Sequence, residues 1–243
     1  MEYVNPEGLR QDGRRPKELR QLGCELGVLA KAAGSATFEM GNTKVLAAVY
    51  GPHEASNRSA AASGATVHCD YAMAPFSTGE RRKQGRTDRR STEISAVIRN
   101  TLEQTIITEL LPNSQIDIHV QVLQADGGTR CACINAALLA LAEAGIPLRD
   151  MVAACAAGYL DETALLDLNY IEDSGGGPDI SVALHPQFDR VVLLQMDNRL
   201  PLETFETVVE LAIKGCKAVA SYMRGQLLEH TRMLASARGF DKL

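Results

Sequence analysis

Residues 121–147 read QVLQADGGTRCACINAALLALAEAGIP. The first four residues finish the run QIDIHVQVLQ. In that run Ile116, Ile118, Val120 and Val122 alternate with polar side chains, the period of a strand with one buried face. Past Arg130 the chain turns small and apolar on every side until Gly145 and Pro147. That is a helix buried all round, closed by glycine and kept from resuming by proline. A strand, two glycines and a helix therefore meet at Gly127-Gly128-Thr129-Arg130. One reading is a turn that needs glycine. The other is a seat for an anion, because a helix N-terminus exposes unpaired N–H groups and a partial positive charge. Glycines would let an anion reach the backbone, and a hydroxyl and a guanidinium would complete a phosphate-sized site at Gly128, Thr129 and Arg130. The spacing is neither a Walker loop nor G-x-G-x-x-G. Arginine in a first helical turn opposes the helix dipole by a few tenths of a kcal/mol, and a bound anion reverses that penalty.

Working outward, SATFEMGNTKVLAAVYGP reads as a hairpin turning at Gly41-Asn42. Residues 53–66 are small and polar and read as a mobile loop, and a strand follows at 66–74. The opening, residues 1–23, is polar, and its tail end is expected on the surface. After the basic run a helix is expected from about Ser91-Thr92 to Pro112, with Ile94, Val97, Ile98, Leu102, Ile106 and Leu110 on its apolar stripe. GIPLRD is the connector between a first half, 1–150, and a second, 151–243. In the second half MVAACAAGYL and TALLDLNYIED read as strands, SGGGP breaks them, and DISVALHP and RVVLLQMD continue the sheet. Pro201 opens a long helix. Hairpins mixed with helices, without strict alternation, favour α+β over a doubly wound parallel sheet.

A chain of 243 residues suffices for one large domain or two small ones, and a net charge of −5 argues against a generally basic nucleic-acid binder. The six cysteines, Cys24, Cys69, Cys131, Cys133, Cys155 and Cys216, mostly lie in apolar runs. They read as buried free thiols of a reducing compartment, with no second ligand pair at zinc spacing. No secretory signal is visible, and no apolar run is long enough to span a bilayer.

Two further constellations bear on chemistry. Residues 80–90, ERRKQGRTDRR, carry Arg81, Arg82, Lys83, Arg86, Arg89 and Arg90 against Glu80 and Asp88. This is either a solvated basic loop or a clamp on a phosphodiester backbone, with Arg89 and Arg90 at its centre and Arg58 joining from the loop before. In EDSGGGPD, Asp173 and Asp179 stand at the two ends of a glycine-rich bend. They are either turn residues or a carboxylate pair that holds Mg²⁺ or supplies a proton. His53, His68, His119, His185 and His230 are scattered without ligand spacing. An anion seat, an arginine pair and a carboxylate pair together are what a reaction between phosphate and a phosphodiester requires.

With these residues placed, the chain resembles the RNase PH family of phosphorolytic 3′→5′ exoribonucleases, which includes polynucleotide phosphorylase cores and the ring subunits of the eukaryotic exosome. The resemblance covers nearly the whole chain, through GLRQDGRRPKELR, GNTKVLAAVYGP, FSTGERR, DRRSTEI, IDIHVQVLQADGGTR, AGIPLRD and LLDLNYIEDSGGGPDISVAL. The wording is nearest to plant-type members. The resemblance implies an RNase PH-like fold (ribosomal protein S5 domain 2-like), mixed sheets packed with helices. It implies phosphate binding by Gly128, Thr129 and Arg130, and RNA binding by Arg58, Arg89 and Arg90. It also implies a metal-binding and catalytic pair, Asp173 and Asp179, with Mg²⁺ (or Mn²⁺) as cofactor and inorganic phosphate as co-substrate. Implied partners are other RNase PH-like exosome subunits in a hexameric ring, cap subunits with RNA-binding domains, associated hydrolytic nucleases and single-stranded RNA, with no membrane. Implied compartments are nucleus, nucleolus and cytoplasm. The alternative within the family is an inert ring subunit that threads RNA to an associated nuclease. Ala33 before Gly34 and Ser181, where polynucleotide phosphorylase has lysine, depart from the family pattern.

Overall fold

The computed structural model describes residues 3–55, 64–81 and 88–239. Two sheets form, one on each side of the connector. The first has strand order β1(Leu22–Leu26), β2(Gly34–Met40), β3(Thr43–Glu54), β5(Ser114–Gln124), β4(Thr66–Met73). All its pairings are antiparallel except β4 with β5. That parallel pair requires a crossover, which α1(Arg89–Thr105) supplies. The second sheet is antiparallel, in the order β7(Thr163–Leu166), β6(Ala153–Leu160), β8(Asp179–His185), β9(Arg190–Met196).

α2(Thr129–Glu143) lies between the two sheets. Every residue from Cys131 to Leu141 is buried, which explains why the run carries no polar stripe. Its Asn135, fully buried, rivets it to β6: Nδ2 donates to the Ala154 carbonyl at 2.9 Å and Oδ1 accepts from the Ala154 N–H at 2.8 Å. Ala154 and Ala156 of β6 join the cluster around α2, whereas Cys155 and Ala157 join Val208, Ala212 and Cys216 of α4(Leu202–Ala237). The alternation of a strand places these two sets on opposite faces, so the second sheet is covered on both sides. Among the described residues no helix is long and apolar enough to cross a membrane.

The mixed α+β architecture matches the sequence reading; four local expectations need correction. β3 continues through His53 and Glu54, which pair with Gln115 and Ser114, so the expected loop starts later; residues 56–63, Arg58 among them, lie outside the described residues. α1 begins at Arg89 and ends at Thr105, with Ile106 as its C-cap, well short of Pro112; Leu110 falls in a short 3₁₀ turn and is exposed. The stretch NYIED is not a strand. It forms α3(Tyr170–Ser174), closed by a reciprocal capping box in which Asn169 accepts from the Glu172 N–H and Glu172 accepts from the Asn169 N–H.

The fourth correction concerns the opening segment, which is not a surface tail throughout. Arg10 and Arg20 are 1% and 7% exposed. Arg10 grips Glu172 with two nitrogens, Nε at 2.7 Å and Nη2, and donates to the carbonyls of Leu166 and Asp167. Arg20 grips Asp167, which is fully buried, through Nε at 2.9 Å and Nη2 at 2.7 Å. Carboxylates this deep are held only when paired. Arg10 and Arg20 therefore anchor a largely exposed segment to the interior that joins the two halves.

His53, His68 and His119, scattered in sequence, gather with Asp70 and Asp117 on the outer face of the first sheet, with contacts between 3.4 and 3.9 Å. Of the cysteines, Cys24 is half-buried and the other five are buried. Burial pushes the Cys69 and Cys131 thiols up to about 12, so both stay protonated.

Candidate active site

The junction that opens α2 is built from two consecutive left-handed residues, Gly127 at φ +73° and Gly128 at φ +62°. A Cβ on Gly127 would sit 2.5 Å from the Leu168 carbonyl oxygen. Gly127→Ala is therefore expected to destabilise the chain by at least about 2 kcal/mol, from the left-handed backbone and the clash together, read by chemical denaturation. Gly128 is the N-cap of α2, and no side chain caps the helix. The N–H groups of the first turn, which have no partner inside the helix, are thus left available to a ligand.

Around this turn a cleft of about 60 Å³ opens, lined by Arg90, Ile94, Gly128, Thr129, Arg130, Ala156, Leu168, Asp173, Asp179, Ser181 and Asp197. That space has room for a phosphate-sized anion. All three sequence constellations contribute to it. Gly128, Thr129 and Arg130 come from the start of α2, Arg90 from the first turn of α1, Asp173 from α3 and Asp179 from the first position of β8. Arg89 is exposed and does not line the cleft. Arg82, Lys83 and Arg86 lie outside the described residues. The side chain of Asp88 caps α1, accepting from the Arg90 N–H at 3.2 Å, so one carboxylate offsets the two arginines at that helix start. Arg130 Nε is buried without a hydrogen-bond partner.

Sequence reasoning missed one charged wall residue, Asp197, and named Ser181 only as a departure from the family pattern. Asp197 follows the end of β9, where its N–H donates to the Asp179 carbonyl at 3.2 Å; Ser181 stands two residues beyond Asp179 on β8. Asp197 tips the charge balance of the cleft to negative, for three carboxylates now face two guanidinium groups. The consequence is visible in protonation. Partial burial, then the charges of Asp197 and Asp173, push Asp179 up to about 6, against a smaller opposing pull from its own backbone N–H and Arg130. Asp173 is raised as well, by partial burial and by Asp197, although Arg90, Arg130 and Arg20 pull the other way. A carboxyl shifted toward neutrality beside two arginines is suited to giving up a proton.

The cleft rests on a buried clamp. Arg20, already gripping Asp167, donates Nη1 to the Asp126 carbonyl and Nη2 to the Gly127 carbonyl at 3.4 Å. Burial alone would lower its pKa, but the hydrogen bonds and charge of Asp167 and the charge of Asp126 outweigh it and hold the guanidinium charged. Asp126 Oδ1 in turn accepts from the Tyr170 N–H at 3.1 Å, tying α3 to the same turn.

Known proteins resemble this chain over nearly its whole length. The model of the 3′ exoribonuclease family, domain 1 (RNase PH), matches residues 18–147, and that of domain 2 matches residues 150–215. The chain is 63% identical over 240 residues to the exosome complex component RRP41 homolog of Arabidopsis thaliana, covering 98% of this chain and 99% of that protein. It is 50% identical over 243 residues to exosome complex component Rrp41 of Thermococcus gammatolerans, covering 100% and 97%. Its fold superposes on the crystal structure of rice (Oryza sativa) Rrp46 with a TM-score of 0.80 at 26% identity, covering 90% of this chain and all of that one.

Proposed function

The chain belongs to the RNase PH family of 3′ exoribonucleases, and on that premise we propose that it is a core ring subunit of an RNA exosome that shortens RNA from the 3′ end by phosphorolysis. Its partners are other RNase PH-like ring subunits, cap subunits, associated nucleases and single-stranded RNA, in nucleus, nucleolus and cytoplasm. The observation that carries the reading is the convergence of an uncapped, glycine-opened helix N-terminus, Arg130, Arg90 and a carboxyl titrating near neutrality on one phosphate-sized cleft.

In this reading inorganic phosphate is held by the backbone of Gly128 and by Thr129 and Arg130. Arg90 holds the last phosphodiester of the RNA in line with it. An oxygen of inorganic phosphate bonds to the phosphorus, and the bond from that phosphorus to the preceding 3′-oxygen breaks. Asp179 gives its proton to that oxygen, and the products are a nucleoside diphosphate and an RNA shorter by one residue. Arg89, exposed just outside the cleft, and Arg58 contact the RNA further along.

A divalent ion of the Mg²⁺ or Mn²⁺ kind fits the residues present. The donors are all carboxylate oxygens, and the cleft carries an excess of negative charge. Mg²⁺ commonly uses one or two carboxylates plus substrate oxygens. In place of the Asp173 and Asp179 pair that the resemblance implies, Asp173 and Asp197 would hold it, leaving Asp179 free to carry its proton; when bound, it would neutralise charge developing on the phosphates.

The test is to supply the assembled ring with RNA in the presence and absence of inorganic phosphate. Phosphate-dependent nucleoside diphosphates are expected. Nucleoside monophosphates alone, released only when a hydrolytic nuclease is attached, would mean that this subunit threads RNA and does not cut it.

A further inference from the structure

A trans peptide holds its C=O and N–H in opposite directions, so whatever anchors the Gly127 carbonyl also aims the Gly128 N–H. The Gly127–Gly128 peptide is trans, and its carbonyl accepts from the hydroxyl of Thr43 at 2.8 Å. The same oxygen, Thr43 Oγ1, accepts from the Asp126 N–H at 3.0 Å. One hydroxyl thus ties down two peptide groups of the turn, 125–126 and 127–128, on the side away from the cleft. Thr43 is fully buried at the first position of β3, just after the hairpin turn, and it does not line the cleft. The only other donor to the Gly127 carbonyl among the described residues is Arg20 Nη2, at a long 3.4 Å.

We infer that Thr43 is a positioning residue for phosphate: its hydroxyl fixes the Asp126–Gly128 turn so that the Gly128 N–H faces the anion. The inference rests on reading the cleft as a phosphate site. It explains why a polar side chain is buried in a strand whose inward neighbours are Val45, Ala47 and Val49. Valine has nearly the same shape and suits a strand. In Thr43→Val the Asp126 N–H loses its partner and the Gly127 carbonyl keeps only the long bond, so the turn is free to rotate its peptide planes.

The experiment compares wild-type, Thr43→Val and Thr43→Ser rings by the phosphate and RNA dependence of phosphorolysis, and by amide hydrogen exchange across residues 126–131. Thr43→Val is expected to raise the KM for phosphate about tenfold, the equivalent of one buried hydrogen bond. It should leave the KM for RNA unchanged, and amide exchange in the turn should quicken by a similar factor. Thr43→Ser, which restores the hydroxyl, should return both toward wild type. An unchanged KM for phosphate, equal shifts in both KM values, or failure of serine to rescue would overturn the inference. If the wild-type ring needs no phosphate, the functional reading falls. The positioning role then stands or falls on exchange alone: faster exchange in valine that serine reverses upholds the clamp, and unchanged exchange overturns it.

Discussion

Asp179→Asn in the assembled ring is expected to lower the phosphorolytic rate by about 10²–10⁴-fold, the usual contribution of a positioned general acid. The variant keeps the shape of the side chain and removes its proton. RNA binding should persist, because Arg90 and Arg130 are untouched. The wild-type rate should decline as pH rises beyond about 6, where Asp179 loses its proton, and the asparagine variant should lack that limb. The stability of the wild-type chain should decline over the same range. An aspartate raised from 3.8 to about 6 holds its proton more tightly in the fold than in the unfolded chain. Its contribution is complete below pH 3.8 and disappears as pH rises through about 6. The melting temperature of Asp179→Asn relative to wild type should therefore increase between pH 4 and pH 7. A difference that stays flat over that range would show that the neighbouring carboxylates do not strain this site.

Arg10→Met should destabilise the isolated chain by about 3–5 kcal/mol, because it leaves Glu172 charged, unpaired and 1% exposed. For a chain of this size the melting temperature should drop by about 10 °C. Glu172 also closes the capping box of α3, so Arg10→Met should loosen Asp173 and weaken activity at temperatures where the chain is still folded. Adding Glu172→Gln keeps the cap and removes the stranded charge, so the double variant should regain part of the loss. A single-variant loss under about 1 kcal/mol would mean that water reaches Glu172 when Arg10 is gone.

What the sequence revealed depended on how local the signal was. The strand over Ile116–Val122, the stripe of Ile94, Ile98 and Leu102, and the glycine junction were legible because each is written within a few residues. Asn169 followed three residues later by Glu172 is a helix-start signature, but the apolar residues around it also fit a strand, and five helical residues are too few to show a helical period. Asp197 looked like an ordinary residue after a strand; only the pairing of β9 with β8 brings it beside Asp179. The partners of Arg10 and Arg20 lie 162 and 147 residues away, beyond any pattern of local spacing. One clue was present: Asp167 stands between Leu166 and Leu168, and a carboxylate inside an apolar run calls for a buried cation.

The clamp of Arg20 on Asp167 also sets a schedule for synthesis. The Asp126–Gly128 turn leaves the ribosome well before Asp167, and the arginine that holds it has by then waited for almost 150 further residues. Until those residues emerge, the nascent chain has no stable cleft, and Arg10 and Arg20 lack the carboxylates they pair with. Contacts so distant in sequence slow folding, since a long loop must close before they form. A chain truncated before Asp167 would carry the whole anion-binding junction and still be unable to present it, so interrupted translation would release protein without a working cleft.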